Sequence, residues 1–150
     1  MQTRADLIAE LFTVVGRFRR QMRRSTGNAF DATGLTQSQA EMLRLVGRQP
    51  GISVREAAIE LGLMPNTAST LVSKLGADGL LIRAVDAADR RVGRLRLTED
   101  AQRIADESRT ARRAALSAVL DELDPGQLDS LERGLEVLAE MTRMLHERRP

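Results

Sequence analysis

Apolar residues Leu7, Leu11, Val15 (with Val14), Phe18 and Met22 recur at steps of three and four, which places them on one face of a helix. Thr3 and Asp6 form a capping pair for its start, and Gly27 marks its end. Thr36, with Gln39 three residues later, announces a second helix carrying Met42, Leu43 and Val46, which Pro50-Gly51 ends. Ser53 and Glu56 make the next capping box, opening a short helix that stops at Gly62. Pro65 suits the first position of a further helix running to about Asp78, before Gly79. Two short helices joined by Gly62-Leu63-Met64 have helix-turn-helix spacing.

Beyond Gly79 the period shortens to two. Leu80-Leu81-Ile82 and Val92 to Leu97 predict two strands, with the turn of a hairpin at Asp86 to Asp89. Thr98, followed by Glu99 and Asp100, opens a long helix to about Glu122, with Ile104, Ala111, Leu116, Val119 and Leu123 as its apolar side. Asp124-Pro125, with Gln127, starts a last helix along which Leu128, Leu131, Leu135, Leu138 and Leu145 recur. The expected fold class is mainly α (α+β). No internal repeat, low-complexity segment or flexible linker interrupts it.

Composition narrows what such a chain does. It has 150 residues, 42% hydrophobic and 29% charged, the balance of a soluble globular subunit. The absence of cysteine removes thiol catalysis, disulfides, thiolate metal sites and cysteine redox sensing. The single histidine, His146, excludes a multi-histidine metal centre. With Phe12, Phe18 and Phe30 as the only aromatics, a base-stacking platform for single strands lacks its material. No nucleophile–base pair or phosphate loop is present, so neither a catalytic, a metal nor a cofactor site is expected. No stretch reaches the length of a membrane span, and Asp6 and Glu10 interrupt the N-terminal apolar run, so the expected location is the cytoplasm.

The pI of about 10.2 is less informative than its size suggests. The net charge is only +2, and Lys74 is the one lysine beside 22 arginines, so almost nothing titrates between the histidine and arginine ranges. Placement matters more. Residues 1–60 and 61–98 each carry net +3, and residues 99–150 carry −4. A polyanion partner for one face follows.

Two constellations fit that partner. On the helix from Pro65, Ala68, Leu71, Val72 and Leu75 make a buried side, whereas Asn66, Ser69, Thr70 and Ser73 make a stripe of short polar residues flanked by Thr67 and Lys74. With no acid before Asp78, that face can enter a major groove without repelling phosphates. The hairpin sets Arg83, Arg90, Arg91, Arg94 and Arg96 against Asp86 and Asp89. Paired arginines at such a tip suit a narrow minor groove, with Asp89 orienting one guanidinium through a bidentate pair.

Taken in order, Leu35-Thr36-Gln37-Ser38-Gln39, Glu56 to Gly62, Asn66 to Leu75, Asp78-Gly79-Leu80, Asp89-Arg90-Arg91 and Leu97-Thr98-Glu99 resemble the MarR family of bacterial winged helix-turn-helix transcription regulators. The motifs span about residues 35–100, and the helix layout extends the likeness to the whole chain. The resemblance implies one subunit over 1–150, with a DNA-binding lobe at 36–98 and a helical dimerisation region at 1–30 and 99–150. It implies a homodimer on a pseudo-palindromic double-stranded operator, acting as a repressor relieved by a small molecule. The recognition helix would read bases with Asn66, Thr67, Ser69, Thr70, Ser73 and Lys74. The wing would use Arg83, Asp89, Arg90, Arg91 and Arg94, with Arg91 in the minor groove steadied by Asp89. Leu7, Leu11, Leu128, Leu131, Leu135, Leu138 and Leu145 would form the dimer interface. Thr70 stands where many members have arginine, and Ser73 and Gly76 where acids are frequent, so weaker base readout and more affinity from wing and phosphate contacts are expected.

For an aromatic or anionic ligand, the candidate lining is Phe12, Arg17, Phe18, Arg20, Met22, Phe30, Met42 and Leu45. Two other outcomes suit the same residues. The apolar, arginine-rich segment 7–24 also fits a membrane surface, and a winged helix can serve protein contacts alone.

Overall fold

The computed structural model describes residues 1–27 and 34–148. Its elements run α1 (Arg4–Thr26), α2 (Gln37–Arg48), α3 (Val54–Leu61), α4 (Pro65–Ala77), β1 (Leu81–Val85), β2 (Gly93–Leu97), α5 (Glu99–Leu120) and α6 (Pro125–Glu147). They fall into two compact units, residues 1–112 and 113–150.

Helix starts follow local chemistry. Thr3/Asp6, Thr36/Gln39, Ser53/Glu56 and Asp124/Gln127 each form the reciprocal capping box that their spacing predicts, satisfying two otherwise orphaned N–H groups apiece. Helix α4 has no side-chain cap; Pro65 at its first turn has no N–H to satisfy. Between α3 and α4, Gly62 adopts the left-handed conformation (φ 67°), where a side chain would be strained. Its N–H and that of Leu63 turn back onto Ala58 and Ile59 carbonyls, which closes the turn in three residues.

The first unit's core is built on α2. Met42, Leu43, Leu45 and Val46 are fully buried against Ala57 and Ala58 of α3, Ala68, Val72 and Leu75 of α4, and Leu81 and Leu95 of the hairpin. Each large side chain contributes about 1.5–3 kcal/mol by leaving water. The hairpin pairs antiparallel, Leu81 opposite Leu97 and Val85 opposite Gly93. A third short segment joins it: Gly51 N–H donates to Leu95 O at 2.8 Å and Leu95 N–H to Ile52 O at 2.9 Å, with Ser53 bridged to Arg94. Two or three residues show no periodicity, which is why the sequence does not announce this edge.

On α5 the fully buried residues are Ala101, Ala105 and Ser108; of the expected apolar side, Ile104, Ala111, Leu116 and Leu123 are half-buried and Val119 is exposed. Small residues let α5 approach closely, with Ala105 lying beside Gly47 of α2, and a hydropathy pattern weights them little. Thr98 caps this helix by accepting Ala101 N–H and donates its own proton to Gly79 O at 2.8 Å. That pins the start of α5 to the turn after α4.

Gly76 lies within α4, and a β-carbon there would meet only Leu81 O at 3.8 Å. Gly76→Ala is therefore expected to stabilise the fold by about 0.4–1 kcal/mol, seen as a higher urea midpoint with an unchanged slope.

Candidate nucleic-acid interface

The helix-turn-helix leaves α4 half in and half out. Ala68, Val72 and Leu75 are buried and Leu71 is half-buried, so the opposite face is presented outward. Asn66, Thr67, Ser69, Thr70, Ser73 and Lys74 are all exposed on it. Thr70 Oγ1 donates to Asn66 O at 2.9 Å, so in this rotamer its free capacity is as an acceptor. Lys74 Nζ lies 3.0 Å from Asp78 Oδ1, an exposed ion pair worth little and easily exchanged for another anion.

The wing tip is organised by two aspartates. Asp86 Oδ1 accepts Ala88 N–H at 2.7 Å and Asp89 N–H at 3.3 Å, while Asp86 N–H donates to Val92 O across the base of the loop. Asp89 Oδ1 accepts both Arg91 N–H at 3.0 Å and Arg91 Nε at 3.3 Å. One carboxylate oxygen thus holds both backbone and side chain of Arg91. The pair is monodentate, not bidentate as the sequence suggests, because the short Asp-Arg-Arg turn brings Nε rather than the guanidinium fork to the carboxylate. Arg91's side chain is 92% exposed, and Arg90 beside it is exposed too.

Arg83 lies along the hairpin over Gly93, whose missing side chain makes the room: a β-carbon there would collide with it. Arg94 is placed differently from the other wing arginines. Its Nε donates to Asp86 Oδ2 at 2.7 Å and its Nη1 to Gly51 O at 3.3 Å, with Glu56 Oε2 at 3.6 Å. It is half-buried at the root of the wing, held by the fold on three sides. The sequence groups it with the tip because strand alternation reveals nothing about a carboxylate contributed by α3.

Electrostatics match the geometry. The Arg94 hydrogen bond, followed by the N–H groups of Ala88 and Asp89, holds the Asp86 carboxyl below its ordinary value. Glu56 is lowered chiefly by the Ser53 N–H and hydroxyl, with Arg94 adding a smaller attraction. Arg94 is in turn shifted upward, mainly by Asp86.

Among the candidate ligand-binding residues, Met42 and Leu45 are fully buried in the core cluster with residues of α3, α4 and the hairpin. Arg17, Phe18 and Arg20 share an open groove of about 500 Å³ with Val14, Gln21 and Arg24 on α1. Phe12 is 76% exposed, Met22 is half-buried, and Phe30 lies outside the described residues.

Helices α1 and α6 contain no buried residue. On α1, Leu7, Val14, Val15 and Phe18 are exposed and Leu11 is half-buried. On α6, Leu128, Leu131, Leu135 and Leu145 are exposed and Leu138 is half-buried, joined by Val137, Met141 and Met144, which the leucine spacing passes over. Two polar contacts tie α1 to the lobe, Arg19 to Glu41 at 3.0 Å and Arg23 to Gln37 at 2.7 Å. Among the described residues no helix is long and apolar enough to cross a membrane, and no three His, Asp or Glu are grouped as metal ligands.

Residues 33–92, spanning the helix-turn-helix and most of the wing, match the sequence model of the MarR family. No curated protein matches the chain. Several solved structures share its fold. Streptococcus pneumoniae FabT in complex with DNA superposes with a TM-score of 0.79 at 20% identity, over 94% of this chain and 99% of that one. A transcriptional regulator of the MarR family from Rhodococcus sp. RHA1 gives 0.65 at 26% identity, over 93% and 96%. CouR from Rhodococcus jostii RHA1 bound to p-coumaroyl-CoA gives 0.66 at 26% identity, over 93% and 96%. Members of this family are transcription regulators, not enzymes. With its helix-turn-helix and most of its wing matched in sequence and its fold shared over nearly the whole length, this chain is similar to the MarR family of winged helix-turn-helix transcription regulators.

Proposed function

We propose that this protein is a homodimer that binds a pseudo-palindromic double-stranded operator in the cytoplasm and represses transcription until a small aromatic or anionic ligand releases it. The observation that carries the DNA reading is the exposed polar face of α4, acid-free through Lys74, in the same lobe as a wing tip on which Arg90 and Arg91 are exposed. Residues 36–98 are its DNA-binding lobe. Asn66, Thr67, Ser69, Thr70, Ser73 and Lys74 face the major groove, and Arg83, Arg90 and Arg91 serve the flanking minor groove and phosphates, with Asp89 orienting Arg91. FabT, which has the same fold, was solved with DNA, which supports the reading.

Residues 1–30 and 99–150 supply the dimer contacts. Two long helices without a buried residue leave more apolar surface in water than an isolated subunit ordinarily tolerates. The ligand reading rests on the arginine-flanked groove around Phe18 and on CouR, a similar fold solved with p-coumaroyl-CoA.

Selection of bound fragments from the source genome tests the whole reading. An enriched inverted repeat with half-sites about 10 base pairs apart, centre to centre, is expected; enrichment of no sequence would sink it. On that operator Arg91→Ala is expected to cost about 1–3 kcal/mol and to lower the salt slope by about one per subunit, whereas Ser73→Ala changes base preference and leaves the slope alone. Undiminished affinity for Arg91→Ala removes the wing assignment. The exposed phenylalanines among the α1 arginines also suit an anionic membrane, and co-sedimentation with anionic vesicles at moderate salt separates that reading from DNA binding.

A further inference from the structure

The root of the wing holds an ion cluster that joins three separate pieces of the lobe. Asp86 closes the hairpin loop, Glu56 closes the capping box at the start of α3, and Gly51 belongs to the edge segment that pairs with β2. One guanidinium reaches all three: Arg94 donates from Nε to Asp86 at 2.7 Å and from Nη1 to the Gly51 carbonyl at 3.3 Å, and its charge lies 3.6 Å from Glu56. The Ser53 N–H is bonded to Glu56 at 2.8 Å, and Ser53 itself bridges to the backbone of Arg94. The cluster is closed on itself.

From this arrangement we infer that Arg94 is a positioning residue of the DNA interface: it fixes the angle of the wing against the helix-turn-helix and does not itself contact phosphate. The inference rests on the DNA-binding reading above. A two-stranded hairpin is marginal alone and takes its orientation from what it is fastened to. Arg94 can serve here because its planar fork donates in several directions at once, and Asp86, its nearest partner, is largely withdrawn from solvent. Asp86 is the second member of the device. Its two oxygens divide the work, Oδ1 ordering the backbone from Ala88 to Asp89 and Oδ2 anchoring that turn to Arg94. Arg91, two residues beyond the ordered turn and free over most of its surface, is then delivered to one place relative to α4.

A phosphate contact and a positioning contact leave different signatures. The operator is the one selected by the parent protein, so failure of the parent to select any sequence ends the DNA reading before Arg94 is tested. On that operator Arg94→Gln is expected to lower affinity about tenfold, with the slope of log K against log salt falling by no more than in Arg91→Ala, because the contact weakened is that of Arg91. Hydroxyl-radical footprinting should show the minor-groove protections at the flanks weakened and the major-groove guanine protections from methylation retained. A lobe that had simply unfolded would lose both together. Asp86→Asn removes the same ion pair without touching a cation and is expected to give the same footprint, which keeps the test available should Arg94→Gln fail to fold. Arg94→Lys, able to satisfy Asp86 or Gly51 but not both, should fall between parent and Arg94→Gln. Either a fall in salt slope matching that of Arg91→Ala with the flank protections intact, or unchanged affinity and footprint in both Arg94→Gln and Asp86→Asn, overturns the proposal.

Discussion

Leu131→Glu combined with Leu135→Glu is expected to turn the protein into a monomer and to weaken operator binding about a hundred- to ten-thousandfold. Both leucines project from α6, a helix with no buried residue, and they are 42% and 56% exposed in the isolated subunit. On the proposed dimer surface each would bury apolar area; a glutamate there would instead carry an unpaired charge out of water, which costs several kcal/mol per ion. The effect on DNA binding is larger than the packing energy of the two side chains, because a dimer's second half-site binds as an intramolecular step and a monomer has none. Sedimentation equilibrium reads the association, and fluorescence anisotropy on the selected operator reads the affinity. Glu132→Gln, on the same helix but at an exposed polar position, is the matched control. Dimers persisting in the double variant at micromolar concentration would move the interface away from this stripe.

Leu95→Ala should destabilise the lobe by about 2–5 kcal/mol, lowering the melting temperature by about 5–15 °C. Leu95 is fully buried at the centre of the hairpin root, and its backbone N–H and carbonyl both join the Gly51–Ile52 segment. Truncation leaves a cavity between the sheet and α2 that neither element can move to fill, since each is held elsewhere by backbone hydrogen bonds. Ile82→Ala, one strand away at half exposure, should change the melt by well under 1 kcal/mol. Similar melts for Leu95→Ala and Ile82→Ala would mean that the hairpin root is not part of the cooperative core.

Much of this architecture is legible because its signals are local. Four capping boxes, the Pro65 start, the Gly62 turn and the change from a helical to a two-residue period are decided within a few residues of chain. The polar stripe of α4 is legible for the same reason: if Ala68, Val72 and Leu75 go inward, geometry sends Asn66, Ser69, Thr70 and Ser73 outward. The pair of Asp89 with Arg91 is two residues apart and so could be named in advance, although its monodentate form could not.

What sequence spacing left open involves partners far apart in the chain. Met42 and Leu45 look like any apolar pair on α2; they are fully buried because α3, α4 and the hairpin converge on that helix. The burial of Ala101, Ala105 and Ser108 reflects close packing of small residues, which hydropathy undervalues.

The sequence by itself determined the order of the elements, the helix-turn-helix, the polar reading face and the arginine-bearing tip, because each follows from backbone chemistry or periodicity within one or two turns. Only the tertiary structure decided which arginine stands exposed at the tip and which is fastened to the lobe. Arg91 and Arg94 stand three residues apart with the same side chain, yet one is held only through Nε by its neighbour Asp89 and the other is fastened to Asp86, Gly51 and Glu56. A guanidinium takes its role from the acceptors that folding brings within reach, and Gly51 and Glu56 come from segments about 40 residues earlier in the chain.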